Sequence, residues 1–553
     1  MQTDRFKQQL QTQKALLAQL NQKFKAISTL KFLHVLLTGW LLYTIFTGNF
    51  NPILGTLGAL IALVLCLFWR YHARLEHQIA HAKGLIAINE RHLARISGNW
   101  TAFSDIGQEF LNPDHPYASD LDIVGKRSLF QYLNTTKTWH GRQQFAKDLL
   151  NPAYSEPDIY GRQQAIQELS EDIEFANELA YQFGEVGTQS GAQFVVKHLK
   201  SQAPFQVNPL LRFIPFLTLQ KTTAYLEYTY QLSHNFMAYT HIIRTLLTSN
   251  FRSEKLTEIQ TRLTGSEQAI KELGTIAVRA NVKRSFFIWF FLNLFLSWDT
   301  TTAIRLNKWQ NKYGHLVEDW FVSLGEFESL LAFSHLPNIC SKTSLPTVKT
   351  GKILEATTLG HPLIGNDIRV SNDVACQDHI FIISGSNMSG KTTFMRTVGI
   401  NLVLARSGSF VCAAHMEFSP LDLMTSMRIA DNLSEGISTF YAELKRIKGI
   451  MEMAKHNPNT LFLIDEIFRG TNSVDRLVGA QTILEKLNEL GTVGMITTHD
   501  LELCELTNRF KRIRNFNFSE TYAENKILFD YKMRPGISQT TNAKYLMKMM
   551  EII

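Results

Sequence analysis

Gly385-Ser386-Asn387-Met388-Ser389-Gly390-Lys391-Thr392 is a loop whose composition suits an anion. It follows an apolar, strand-like segment, Ile380 to Ile383, and precedes an amphipathic stretch carrying Phe394, Val398, Leu402 and Leu404. Strand, Gly-rich loop and helix in that order predict a phosphate cradle, with backbone N–H groups of the loop and helix N-terminus facing the anion. Within it Lys391 would reach the β/γ-phosphates, the Thr392 hydroxyl would ligate Mg²⁺, and Thr393 would close the binding stretch. The competing reading is a surface turn rich in Gly and Ser.

Two further strand ends carry polar tips. Leu461-Phe462-Leu463-Ile464 is a continuous apolar run, as in a strand buried on both faces of a parallel sheet. It ends in Asp465-Glu466, where such a strand delivers side chains to the C-terminal edge. Asp465 would hold Mg²⁺, mostly through water, and Glu466 would polarise the attacking water. The bland alternative is an acid pair capping the next helix. Met495-Ile496-Thr497-Thr498-His499-Asp500 repeats the pattern, and His499 is placed to sense the γ-phosphate; otherwise it is a solvated turn residue. With Lys391, Glu466 and His499 as the catalytic set, these elements imply nucleotide hydrolysis.

At 553 residues the chain is too long for one core, so two to four domains are expected. Charged residues make up 19% and apolar ones 45%, which asks where the apolar surplus goes. It is concentrated near the N-terminus. Phe32 to Phe46 and Pro52 to Trp69 contain no Asp, Glu, Lys or Arg, and Gly48-Asn49-Phe50-Asn51 between them reads as a tight turn. Each is close to spanning length, with Trp40, Tyr43, Phe68, Trp69 and Tyr71 as interfacial anchors. Lys and Arg lie outside both ends and not in the turn, which predicts a transmembrane hairpin of the cell (inner) membrane with both termini in the cytoplasm. A buried helical hairpin is the alternative. The five cysteines have no CxxC or metal-ligand spacing, so neither a metal cluster nor a disulfide framework is expected, and the compartment should be reducing. A net charge of +7 is too mild to choose between nucleic acid and an anionic membrane.

The pattern along the chain gives a basic cytoplasmic N-terminus at 1–28, the hairpin at 29–70 and a helical connector at 71–113, broken by Asn112-Pro113-Asp114-His115-Pro116. Residues 114–345 read as helical throughout and 346–553 as alternating strands and helices. The expected fold class is an α/β P-loop ATPase domain preceded by an all-α domain and the hairpin. A further apolar block, Phe286 to Trp298, is short for a span and contains Asn293, which predicts a buried core helix; re-entry or interfacial contact is the alternative.

The motifs around the loop resemble the MutS mismatch-repair ATPase family. Ser386-Asn387-Met388 is close to its Pro-Asn-Met, and Thr393-Phe394-Met395-Arg396 follows the loop. Asp431 to Phe440 looks like its signature segment ending Gly-x-Ser-Thr-Phe, here Gly436, Ser438 and Thr439. Asp465-Glu466-Ile467-Phe468-Arg469-Gly470-Thr471, His499 and His361-Pro362 are similar to further family motifs in the same order. Leu121-Asp122-Ile123, Leu133 to Thr138, Gly141-Arg142 and Arg162-Gln163-Gln164-Ala165 resemble the start of its core domain more weakly.

The resemblance implies an ABC-type ATPase domain behind core and lever helices. It also implies ATP and Mg²⁺, and a homodimer in which Ser438 completes the partner's site while Glu466 and His499 act in cis. Ser438 is otherwise an ordinary helix cap. ATP rather than GTP rests on the resemblance, since Leu363 and Ile364 follow His361-Pro362 where the family has an aromatic residue that stacks on adenine. The family's mismatch readers carry Phe-x-Glu in a separate N-terminal domain; Phe183-Gly184-Glu185 sits inside the helical region, so mismatch recognition is not expected. The clusters Lys445-Arg446-Lys448 and Lys511-Arg512-Arg514 leave DNA contact open. Alternative readings are an ABC-type transporter half and a non-catalytic membrane scaffold that uses ATP for assembly.

Overall fold

A computed structural model describes residues 2–47, 52–152, 154–187, 222, 225–226, 233–428, 439–468, 473–523 and 526–538. The chain divides into two compact units, residues 1–97 with 174–181, and residues 98–173 with 182–553.

The first unit is built on two long helices, α1 (Gln2–Phe46) and α2 (Pro52–Ile96). They run antiparallel: Ser28 Oγ meets His72 Nε2 at 3.1 Å, and His34 Nε2 meets the Ile61 carbonyl at 2.8 Å. Leu20, Leu75, Ile79 and Ala82 form their buried seam. The stretch Glu174–Tyr181 joins it, with His81 Nε2 2.7 Å from Glu178 Oε2. A single helix, α2, carries both the apolar segment and the polar stretch after Tyr71. The turn at 48–51 and several side chains between 41 and 66 lie outside the described residues. Among the described residues no single helix is long and apolar enough to cross a membrane. Phe32, Trp40, Tyr43, Ile53, Leu63 and Trp69 are nevertheless exposed.

The second unit opens with α3 (Leu129–Leu133), α4 (Trp139–Leu150) and α5 (Glu156–Glu171); α6 (Ile173–Val186) is the helix whose residues 174–181 group with the first unit. Ser128, Thr138 and Ser155 cap the first three by accepting N–H bonds from Gln131, Gly141 and Asp158, which fixes where each helix starts. Then come α7 (Ser233–Thr248), α8 (Glu254–Arg262), α9 (Ser266–Ala280), α10 (Phe286–Leu296), α11 (Trp298–Tyr313), α12 (Val317–Ser334) and α13 (Leu336–Ile339). The expected burial of Phe286 to Trp298 is overturned. Helix α10 turns most of its aromatic side chains to solvent, Phe287 at 76% exposure. Bent by 78° against α11, it forms with it a pair apolar and long enough together to pass as a broken span by length and composition.

Strands follow from residue 347. A small sheet orders β1 (Thr347–Val348), β5 (His415–Phe418), β2 (Ile353–Leu359) and β3 (Asn372–Gln377). The larger sheet orders β10 (Lys526–Pro535), β9 (Ile513–Ala523), β4 (Ile380–Gly385), β8 (Val493–Thr498), β7 (Thr460–Asp465) and β6 (Asp422–Ser426). All its pairings are parallel except β9 with β10. Strands β4, β7 and β8 are buried at every position, as their unbroken apolar runs require. Helices α14 (Lys391–Arg406), α15 (Thr439–His456) and α16 (Ser473–Glu489) complete the α/β part.

A buried ion pair joins the helical part to the α/β part. Arg162 on α5 donates from Nη2 to Asp148 Oδ2 on α4 at 2.7 Å and from Nε to the Ser407 carbonyl, just beyond α14, at 2.7 Å. Asp148 also accepts from Ser329 on α12 at 2.6 Å, and from Tyr154 and Gln144. Both charged side chains are essentially inaccessible. Removing one partner of such a pair strands the other charge, at a cost of about 3–5 kcal/mol. Arg162→Ala should therefore lower the urea midpoint sharply, while Arg162→Met with Asp148→Leu recovers most of the loss; equal midpoints for wild type and Arg162→Ala would remove the pair from this role.

Candidate nucleotide site

The parallel register brings the polar strand tips together. Asp465 at the end of β7 is level with Thr497 of β8, and Ser384 of β4 with Thr498. The loop residues 386–390 leave β4 beside them and enter α14 at Lys391. Gly390 has φ 107°, a left-handed conformation that favours glycine, and at Gly385 a Cβ would come 2.5 Å from the Phe518 carbonyl oxygen. Ser386 Oγ donates to Glu520 Oε2 at 2.8 Å, and Ser389 Oγ to the Ser386 carbonyl at 2.8 Å, so the loop is tied to β9 and to itself.

Lys391 is 5% exposed, and its ammonium donates to the carbonyls of Gly385 and Ser386 at 2.7 and 2.8 Å. The charge is thus held inside the curl of the loop, at the N-terminus of a helix whose dipole favours anions. The Thr392 hydroxyl donates to Asp465 Oδ2 at 3.0 Å. A hydroxyl and a carboxylate at this separation form a hard oxygen set, the kind Mg²⁺ selects, so these two residues fit the metal. Thr497 fixes that carboxylate: its hydroxyl donates to Asp465 Oδ1 at 2.6 Å and lies 3.2 Å from the Glu466 backbone N–H donor.

Glu466 and Phe468 both have left-handed backbones, φ 55° and 61°, unusual for residues with a Cβ. The chain turns sharply there, so Glu466 leaves the strand axis. Its Oε1 lies 2.6 Å from His499 Nε2, which also lies 2.8 Å from Asn387 Oδ1 in the loop. One imidazole nitrogen thus links the acid to the phosphate loop. Asp500, next to His499, accepts from Nε and Nη2 of Arg476 on α16, at 2.8 and 3.0 Å. Gly436 and Ser438 lie outside the described residues; Thr439 opens α15.

A pocket of about 590 Å³ lies over this edge, lined by residues 386–394, Thr397, Glu466, Leu359, His361, Ile364, Ile368, Val370, Asn372, Phe518 and Tyr531. Its far side is apolar and aromatic, unlike the phosphate side. Burial, reinforced by Arg396 and Arg369, pushes the His361 imidazole down to about 3, so it faces the pocket neutral across physiological pH. Sequence reasoning missed Tyr531. It lies 140 positions from the loop and approaches Gly390 only because β10 pairs with β9 and β9 with β4; a Cβ on Gly390 would touch its ring at 3.1 Å. Asn372 holds the Tyr531 backbone, donating to its carbonyl at 2.9 Å and accepting from Met533 N–H at 2.8 Å. No local signal marks this tyrosine. Within the basic clusters Arg446 donates to the Pro113 and His115 carbonyls and Arg512 to Asp378 and the Asn488 and Thr492 carbonyls, while Lys445 and Lys448 stay about three-quarters exposed.

Residues 381–552 match the family model of MutS domain V. A DNA mismatch repair protein MutS of Macrococcus caseolyticus is 32% identical over 215 residues, 37% of this chain and 25% of that protein. One from Cytophaga hutchinsonii is 32% identical over 230 residues, 39% and 26% of the two chains. One from Desulforapulum autotrophicum is 36% identical over 197 residues, 35% and 21%. The chain thus covers about a quarter of the length of these curated relatives, with the shared part ending in the α/β domain.

An aromatic ring beside the loop offers a nucleotide base a stacking surface, worth roughly 1–3 kcal/mol. Tyr531→Ala should weaken nucleotide binding about tenfold, the low end of that range, and Tyr531→Phe should leave it near wild type. Titration calorimetry with a nucleoside triphosphate checks both, and unchanged affinity in Tyr531→Ala would place the base elsewhere.

Proposed function

The chain belongs to the MutS family through its C-terminal domain, and on that premise we propose that it is a membrane-anchored ATPase working as an ATP-dependent dimeric switch. The observation that carries the chemistry is the meeting of Lys391, Thr392, Asp465, Glu466 and His499 at one sheet edge. Lys391 and the N-terminus of α14 hold the β/γ-phosphates, and Thr392 with Asp465 holds Mg²⁺. Held there, Mg²⁺ would supply charge to offset that building on the phosphate oxygens. Glu466 orients the attacking water and accepts its proton. His499 keeps that carboxylate aimed and, through Asn387, ties it to the loop that feels the phosphate.

The dimer follows from the signature segment, where Ser438 would reach the γ-phosphate held by the partner's Lys391. Closure then depends on ATP, and hydrolysis releases it. Support for the anchor comes from the charge-free runs 32–46 and 52–69, from the apolar side chains they expose, and from Lys31 lying 4.0 Å over the Trp69 ring at their base. The reading places the ATPase in the cytoplasm. The matched proteins are named for DNA mismatch repair; in this chain Arg446 and Arg512 of the two basic clusters are engaged within the fold, and Lys445 and Lys448 are exposed.

Glu466→Gln should retain nucleotide and lose turnover, and Lys391→Ala should lose both. Ser438→Ala and Lys391→Ala proteins should each be inactive alone, yet mixing them should restore part of the activity. A heterodimer then has one site with both defects and one with neither. A dead mixture, with heterodimers shown to form, would place Ser438 in cis. Equal hydrolysis by wild type and Glu466→Gln would remove Glu466 from its role.

The anchor is read separately. A cysteine at position 48 should react with an impermeant reagent only from outside the cell and one at position 2 only from inside. Reaction of position 48 from inside sinks the topology.

A further inference from the structure

Helix α10 inverts the usual arrangement of a surface helix. Its one amide side chain, Asn293, is buried, with Oδ1 accepting from the Asp299 N–H at 3.0 Å and Nδ2 donating to the Trp289 carbonyl at 3.1 Å. Trp289 Nε1 donates to Asp299 Oδ2 at 2.9 Å, and Trp298 Nε1 to the Arg279 carbonyl at 2.9 Å. The Arg279 guanidinium covers the Trp298 ring at 3.8 Å. The polar groups therefore look inward and pin the helix to its neighbours, while Phe286, Phe287, Ile288, Phe291, Phe295 and Leu296 look outward.

Three features decide what covers that face. At 3.6 residues per turn the exposed positions pass around well over half of the helix, whereas a protein groove takes one stripe of anchors. An apolar surface that wide suits a medium that wraps it. Next, Asp299 is the sole acid between positions 281 and 313, and it is buried; the exposed Lys283, Arg305, Lys308 and Lys312 are all basic. Finally, eleven residues rise about 16 Å, roughly half the hydrocarbon thickness, so the helix is too short to cross a bilayer. We propose that α10 lies in the interface of an anionic lipid bilayer, its aromatic side chains among the acyl chains and the flanking lysines and arginine at the headgroups. This deepens the membrane part of the reading above, giving the ATP-driven part of the chain its own contact with lipid.

The test uses the full chain in vesicles of phosphatidylcholine and phosphatidylglycerol. A nitroxide is placed at Phe291→Cys or, as control, at Lys486→Cys on α16, in a Cys66→Ser background; the four remaining cysteines are buried. At position 291 oxygen access should rise severalfold and access of a water-soluble nickel chelate should fall, relative to detergent solution. Position 486 should not change. Vesicles of phosphatidylcholine alone should give a smaller change at 291, and an equal one would sink the role of the basic residues. A label at 291 that stays open to the chelate overturns the proposal. So does one shielded from both reagents with spin–spin broadening, which would assign the face to a second copy of the chain. Failure at 291 while position 48 still reacts only from outside leaves the hairpin standing; failure at 48 alone removes the hairpin and leaves α10.

Discussion

The buried Arg162–Asp148 pair is the constraint on which the second unit depends. Two charges out of water are tolerated only when each finds close partners. Meeting that demand draws α4, α5, α12 and the end of α14 to one point. The Ser407 carbonyl that Arg162 takes belongs to the C-terminal end of α14, where a cation also complements the helix dipole. Ser407 returns a bond from its hydroxyl to the Asp148 carbonyl at 2.7 Å. The helix that offers its N-terminus to phosphate is thus fastened at its other end to the helical part.

A second fastening lies nearer the site. Asp122, itself in a left-handed backbone conformation, accepts from Arg396 on α14 at 2.8 Å and also pairs with Arg428, the last described residue before the signature segment. Asp120, two residues earlier, accepts from the Thr425 hydroxyl at 2.7 Å and the Met427 N–H at 3.0 Å. The start of the helical part therefore reads two elements of the α/β part at once. These carboxylates act beside a direct tie between the two elements, Arg406 of α14 donating to Asp422 of β6 at 3.1 Å.

The legible portion of the site was the portion written contiguously. Loop 385–392 and the tips 465–466 and 499 announce themselves because strand, loop and helix are adjacent in sequence and each polar tip follows a run buried on both faces. Thr497 was visible only as part of its strand; its bridge between Asp465 and Glu466 needs the register of β7 against β8. Tyr531 needs two strand pairings, and Arg162 needs three helices. No window of sequence holds those. The misreading of α10 has a different cause. Hydropathy reports only that a helix is apolar; that Phe286, Phe287, Phe291 and Phe295 face outward while Asn293 faces inward is seen only in the structure.

Helix α14 has a mechanical property that its chemistry does not reveal. Its sixteen residues make a rod of about 24 Å, and midway along it a methyl on Gly399 would meet Leu121 and Leu463 at 2.7 and 3.1 Å. With no free space at its middle and Arg162 on its far end, the rod is held at two places beyond Lys391. A push at Lys391 would therefore bear on the helical part at two points, Leu121 and Arg162, both set against this one helix.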